Sequence, residues 1–140
     1  MSAGDFYFGI NATFRFIHDT WGKDRLIDYW TSMAREYHGE VAERFREGGL
    51  EAVEEYWADY FANEPGGDVS VSRTPEGVEI DVRDCPAIRW LKEGGRDIVP
   101  YYCEHCLYTC TTIAEQSDME FVLEGGQGTC RQRFSPKGGR

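Results

Sequence analysis

The sequence has few basic residues and no long apolar run. Its 15 lysines and arginines face 25 aspartates and glutamates, so the formal net charge is −10. Nucleic acid and anionic membrane surfaces attract proteins through a basic surface, and we therefore expect neither as a partner. No stretch is long and apolar enough to span a bilayer, and the first residues lack the basic start and apolar core of a secretory signal. These absences predict a cytoplasmic protein.

Several motifs of common enzyme classes are also missing. The sequence contains no Glu-x-x-His pair of the kind that binds two irons in a helical bundle, and no Gly-x-Ser-x-Gly nucleophile turn. The glycine-rich stretch Gly125–Gly128 lies between two predicted strands, so it indicates a turn and not a phosphate-binding loop. Any chemistry must therefore come from other residues.

The first sixty residues show the periodicity of helices. Apolar residues recur three or four positions apart in three stretches, which run over residues 6–17, 26–45 and 50–60. The predicted ends of these helices are Trp21-Gly22, Gly48-Gly49, and Asn63 followed by Pro65. The pattern predicts a helical half over residues 1–64.

The remainder alternates between strand and helix signals. Val69 to Val82 alternates in two runs around Thr74-Pro75-Glu76-Gly77, and residues 119–123 and 129–134 do so around the later glycine turn, which predicts two hairpins. A short helix is predicted over residues 86–93, and a longer one from Pro100 to about Glu115. We therefore predict a single α+β domain. Its N-terminal helices pack with a roughly four-stranded antiparallel sheet within residues 68–134, and residues 135–140 form a frayed tail.

Cysteine is concentrated in the last two-fifths of the chain. Three of the five cysteines lie in the segment YYCEHCLYTC, as Cys103, Cys106 and Cys110. On a helix these residues share one face, and a thiol in its first turn has its pKa lowered by the helix dipole. Cys85 and Cys130 flank the two hairpins, and packing of the helix across the sheet would bring them near Cys103 and Cys106. His105 faces elsewhere on a straight helix, whereas Cys110 is expected to be a core residue.

Free thiols without an export signal are often metal ligands or catalytic groups. The spacing matches neither a zinc ribbon nor a common iron–sulfur run. One hypothesis is nevertheless a module in which zinc or an iron–sulfur cluster is bound by Cys85, Cys103, Cys106 and Cys130. The other is a catalytic thiol site, and a ligand-sensing domain without turnover is a third.

The stretch from residue 84 to residue 134 resembles the L-2-amino-thiazoline-4-carboxylic acid hydrolase-like family. The resemblance is carried by Cys85-Pro86, by Cys103-Glu104, and by LEGGQGTCRQRF, which contains Cys130 and Arg133. It covers about the last third of the chain. Where family members carry an aspartate three residues after the second cysteine, this sequence has Cys106, a softer ligand that suits zinc, copper(I) or iron–sulfur chemistry.

The resemblance implies hydrolytic opening of a thiazoline-type ring at a carbon–nitrogen bond of a small substrate. Cys103 would be the nucleophile, and Cys85 and Cys130 would share or shape its site. The base would be His105 or Glu104. Arg133 would bind the substrate carboxylate through a bidentate pair, although strand alternation places it opposite Cys130. Exposed aromatic residues in the helical half suggest a homodimer.

Overall fold

Three helices make up the N-terminal half, as predicted. The computed structural model describes residues 3–139. Helix α1 spans Ala3–Trp21, α2 spans Lys23–Glu36 and α3 spans Gly39–Asn63. Gly22 joins α1 to α2 at a φ of 91°, in the left-handed region that glycine adopts without strain. Across residues 3–139, no helix combines the length and the apolar character needed to cross a membrane.

The boundaries within this half differ from the predicted ones. The stripe over residues 26–45 was predicted to be one helix, but the helix breaks at Tyr37-His38, and Tyr37 is 73% exposed. Gly48-Gly49 was predicted to end a helix, yet α3 continues through it with a kink at Gly49, whose φ is 65°. Apolar periodicity runs across the break because α2 and α3 both turn an apolar face toward the core. It therefore could not locate the break.

The C-terminal half contains the predicted antiparallel sheet. Strands β1 (Asp68–Arg73) and β2 (Val78–Asp84) form the first hairpin, and β3 (Met119–Gly126) and β4 (Thr129–Pro136) form the second. The strand order is β1-β2-β4-β3, so pairing of β2 with β4 joins the hairpins. The fold is α+β, as predicted. Residues 135–140 were predicted to form a frayed tail, and this was wrong for the described part: Ser135 and Pro136 continue β4, and Lys137–Gly139 form a short 3₁₀ turn. Arg140 lies outside the described residues.

Two helices connect the hairpins, and one of them starts later than predicted. Helix α4 spans Pro86–Glu93, as predicted, whereas α5 spans Glu104–Gln116 and does not start at Pro100. The preceding segment is held by Asn11 of α1, whose amide nitrogen donates to the Asp97 carbonyl (2.9 Å) and whose amide oxygen accepts from the Val99 N–H (3.1 Å). This tether holds the backbone at Asp97 and Val99, and tight turns over residues 99–105 then lead into α5.

Among residues 3–139, the buried apolar side chains form two hydrophobic clusters. The first packs α3 and α5 against the sheet and includes Phe45, Ile80 and Phe134. The second packs α1, α2 and α4 together around residues such as Leu26 and Leu91. Both clusters continue at their edges into partly buried side chains, and Cys85 packs against each of them. The boundary between the clusters is therefore where the cysteine-containing elements meet.

Candidate functional site

The structure brings the cysteines together at the boundary between the two clusters. All five are free thiols, and Cys110 is buried while the other four are partly exposed. Cys106 has the central position, because its charge would raise the pKa of Cys85, Cys103, Cys110 and Cys130. Elements far apart in sequence thus contribute to one group of thiols, which we call the thiol cluster.

Cys85 lies where β2 passes into α4, at the N-cap of that helix. Its backbone N–H donates to the Gly128 carbonyl (2.9 Å), which attaches the start of α4 to the turn of the second hairpin. Burial raises the pKa of the Cys85 thiol to about 11, although the N–H groups of Ala87 and Ile88 oppose this rise. The thiol is therefore protonated at neutral pH.

Cys103 is the N-cap residue of α5 and lines an open cleft. The backbone N–H groups of Gln127 and Gly128, in the turn between β3 and β4, face its sulfur and favour the thiolate. Burial nevertheless outweighs them and raises the pKa of Cys103, and Cys106 adds to the rise. The predicted lowering of this pKa by the helix dipole was therefore wrong, because desolvation of the thiolate is the larger effect.

The cleft beside Cys103 has a volume of ≈ 490 Å³. Glu104 lines it, and its carboxylate forms a 2.8 Å ion pair with the ammonium of Lys23 from α2. Lys23 also lies 5.5 Å from the centre of the Tyr101 ring. No pattern in the sequence marks Lys23, since only the packing of α2 beside α5 brings its ammonium to Glu104. The other residues that line the cleft are Pro100, Leu107, Leu123, Gly125, Gly126 and Gln127.

His105 contacts Cys106, contrary to the prediction that it would face away from the sulfurs. Its Nε2 lies 3.6 Å from the Cys106 Sγ, and its Nδ1 lies 2.6 Å from the Tyr102 carbonyl oxygen. Phe14 and Tyr102 pack around the ring, and burial lowers the pKa of His105. The prediction assumed a straight helix. Residues 99–105 instead form tight turns with hydrogen bonds between residues three apart, and these turns orient the ring.

Cys130 and Arg133 lie on opposite faces of β4. Cys130 shares the inner face with the buried Gln132, whose amide nitrogen lies 3.4 Å from the Cys130 sulfur, and with Phe134. Arg133 lies on the outer face, in register with Glu79 of β2. The structure therefore places Cys130 in the thiol cluster and does not bring Arg133 to it. The Arg133 Nε is buried and has no hydrogen-bond partner among the described residues.

Tyr102 and Tyr60 lie near the thiol cluster, and nothing in the sequence beyond helical periodicity marked them as part of a site. Burial raises the pKa of Tyr102 and of Tyr60, and Cys106 and Cys85 add to the rise at both residues. Close by, the Tyr7 hydroxyl donates to the Glu64 carboxylate. The cluster is thus bordered by neutral hydroxyl groups, which are hydrogen-bond donors that carry no charge at neutral pH.

The thiols do not form a ready-made metal site. Within residues 3–139, no three or more histidine, cysteine, aspartate or glutamate side chains are arranged to hold a metal ion. The set Cys85, Cys103, Cys106 and Cys130 is therefore close in space without the converging geometry that zinc or an iron–sulfur cluster requires.

Comparison with known proteins adds no family assignment. No protein-family model matches the sequence, no curated protein matches it, and no solved structure matches the fold. The resemblance to the thiazoline hydrolase-like family therefore stays a prediction, and the site must be interpreted from its own geometry.

Proposed function

We propose that this protein is a thiol-dependent hydrolase that opens a thiazoline-type or related carbon–nitrogen bond in a small substrate containing sulfur and nitrogen. The observation that carries the proposal is the position of Cys103. This residue lines an open cleft at the start of a helix, and two backbone N–H groups face its sulfur. A cleft of ≈ 490 Å³ is within the size range of small-molecule sites.

In the proposed reaction, the Cys103 thiolate attacks the amidine-like carbon of the ring. The ring carbon–nitrogen bond then breaks, the nitrogen takes up a proton, and the substrate carbon stays bonded to the Cys103 sulfur. Water adds to that carbon and releases the product, and the sulfur regains its proton. The N–H groups of Gln127 and Gly128 support the first step, because they favour the charged sulfur over the neutral thiol.

Glu104 is the proposed base. Glu104 lines the same cleft as Cys103, whereas His105 is paired with Cys106. We assign recognition of a substrate carboxylate to Lys23, which already pairs with the Glu104 carboxylate at the edge of the cleft. Arg133 is not assigned this role, because it lies on the outer face of the sheet.

We further propose that the enzyme works in the cytoplasm. All five cysteines are free, and free thiols are typical of a reducing compartment.

The test is turnover of 2-amino-thiazoline-4-carboxylate by the reduced protein, with the gain of one water measured by mass spectrometry. Cys103→Ser should abolish turnover, whereas Cys110→Ser, which changes a buried thiol outside the cleft, should retain it. Full activity of Cys103→Ser, or no turnover of any thiazoline by the unaltered chain, would refute the proposal. Metal analysis of anaerobically purified protein distinguishes the hydrolase from the alternative, a metal-binding module. Stoichiometric metal that is lost in Cys106→Ser would indicate the metal-binding module.

A further inference from the structure

Cys103 and Cys106 lie three residues apart at the start of α5, with Glu104 and His105 between them. Cys103 itself has helical backbone angles, with φ −71° and ψ −13°. Residues three apart on a helix have Cβ atoms separated by about 5–6 Å. A disulfide requires a Cα separation of about 4.4–6.8 Å and Cβ atoms about 3.5–4.5 Å apart. A small adjustment of the first turn is therefore enough to bridge the two sulfurs.

The two thiols differ in their access to ligands. Cys103 is one of the residues that line the open cleft. Both cysteines are partly exposed, but Cys106 lies outside the lining of that cleft, and burial raises its pKa to about 11. An accessible thiol followed by a sheltered one is the arrangement needed for a first attack on an external sulfur and a second attack within the protein.

His105 is oriented to remove the proton from Cys106. A carbonyl oxygen can only accept a hydrogen bond, so the Nδ1 that lies 2.6 Å from the Tyr102 oxygen must carry the proton. Burial favours the neutral ring, in which Nε2 is then unprotonated. This Nε2 lies 3.6 Å from the Cys106 Sγ. Cys106 is thus the nucleophile, His105 is its base, and the Tyr102 carbonyl orients that base.

We propose that Cys103 and Cys106 form a redox-active dithiol that reduces small-molecule disulfides. In the first step the Cys103 thiolate attacks one sulfur of the substrate disulfide, that bond breaks, and the other half leaves as a thiolate that takes a proton from water. In the second step Cys106 gives its proton to His105 and attacks the Cys103 sulfur. The bond between Cys103 and the substrate breaks, and the second half leaves and takes the proton from His105. The substrate gains the two electrons and two protons that the two protein thiols lose.

Disulfide reduction does not depend on the proposed hydrolysis, and one variant should lose the first activity while it retains the second. Cys106→Ser leaves the cleft thiol Cys103 in place, so it should retain hydrolysis and lose formation of the protein disulfide. A protein that reduces disulfides must itself be reduced again, and we assign that step to a small thiol or a second dithiol, which reverses the exchange at Cys103.

The first experiment uses glutathione disulfide as the probe. The reduced chain is mixed with it anaerobically, quenched in acid, and analysed for released glutathione and by peptide mass spectrometry. We expect two glutathiones released per chain and a disulfide between Cys103 and Cys106. Cys106→Ser should stop after one release with glutathione attached to Cys103, Cys103→Ser should react at least roughly tenfold more slowly, and Cys110→Ser should behave as the unaltered chain. A bridge between any other pair, or unaltered release by Cys103→Ser, would overturn the proposal.

The second experiment tests His105 by comparing the rates at which the first and the second glutathione are released. His105→Gln should release the first glutathione at the normal rate and delay the second by about 10²-fold, the usual scale for loss of a positioned base. Circular dichroism verifies that the variant is folded. Equal slowing of both steps, or no slowing of the second, would show that His105 does not take the Cys106 proton.

Discussion

Asn11 is in α1, far from the thiols in sequence, yet its side chain holds the segment that leads to Cys103. The amide is 4% exposed and bonds both the Asp97 carbonyl and the Val99 N–H. These two backbone groups have no helix or strand to satisfy them, because they lie between α4 and α5. One side chain of α1 therefore holds the backbone of the segment that leads to α5.

Asn11→Ala should consequently destabilise the fold and disturb the cleft. The buried Val99 N–H loses its hydrogen-bond partner, at a cost of about 1–3 kcal/mol, whereas the carbonyl of the exposed residue Asp97 keeps its 2.6 Å hydrogen bond from the Arg15 guanidinium. The free energy of unfolding in urea measures this loss, and faster alkylation of Cys103 would report the loosened segment. Asn63→Ala is the matched control, because its amide donates to Asp59 at an exposed site. Equal stability of the two variants would contradict the role given to Asn11.

Thiol burial gives the stability of the protein a definite dependence on pH. Burial raises the pKa of Cys85 and Cys106 from 9.0 to about 11. A folded protein that holds these protons more tightly than the unfolded chain is stabilised fully below about pH 9 and loses that stability as the pH rises toward 11. We expect a loss on the order of 1 kcal/mol per thiol between about pH 8 and pH 10, measured by urea unfolding.

The contribution of one thiol can be isolated by substitution. Cys106→Ser removes one of the titrating groups, so its unfolding free energy should fall less over the same pH interval than that of the unaltered chain. If both proteins lose the same stability, Cys106 is not held in its neutral form by the fold.

At the scale of elements, the end of β3 and the turn between β3 and β4 shape the site through their glycines. Gly125 has a φ of 101°, and a Cβ there would lie 2.5 Å from the Thr129 oxygen and 2.9 Å from the Cys130 Cα. Only glycine fits without displacing the turn. The same turn contains Gln127 and Gly128, whose N–H groups face Cys103, so its conformation and the environment of that thiol are coupled.

Gly125→Ala should therefore change both stability and thiol chemistry. Strain at a positive φ and the close contacts should cost about 1–3 kcal/mol, and alkylation of Cys103 should change in rate as the two N–H groups move. Gly9→Ala is the control within a helix, where a Cβ meets nothing within 4 Å, and it should stabilise the protein by about 0.5–1 kcal/mol. If Gly125→Ala is destabilised but Cys103 is alkylated at the unaltered rate, the conformation of the turn does not control the environment of that thiol.

The elements also show which features a sequence can predict. Helix α4 and both hairpins carry local signals, such as Pro86 in the first helical turn and Thr74–Gly77 between alternating strands, and they were predicted correctly. The start of α5 was not, because Asn11 of another helix holds the segment that leads to it. Likewise, the cysteines of the site are visible in the sequence. The pairing of His105 with Cys106 and the position of Lys23 depend on tertiary packing, which leaves no local pattern.

At the scale of the whole molecule, the thiols lie between two hydrophobic clusters. Cys110 is part of the first cluster, Cys103 packs against the second, and Cys85 packs against both. Helix α5 contacts α2, α3 and β3, so the same element joins the helical half to the sheet. Such shared contacts favour unfolding of both clusters in one cooperative transition, because neither can lose its packing without exposing the boundary.

This cooperativity can be tested by weakening the second cluster and observing the first. Leu91 of α4 is fully buried, so Leu91→Ala should cost about 2–5 kcal/mol, while Val122→Ala, at a position 45% exposed, should cost less than about 1 kcal/mol. The fluorescence of Trp30 reports the second cluster and that of Trp57 the first, when each is kept as the sole tryptophan. Leu91→Ala should lower both urea midpoints equally, and the thiols should become reactive at that same midpoint. A lower midpoint for Trp30 alone would mean that the two clusters unfold independently. The thiols would then lie at a hinge between two units. In that case the fold would not fix the geometry of Cys103 and Cys106.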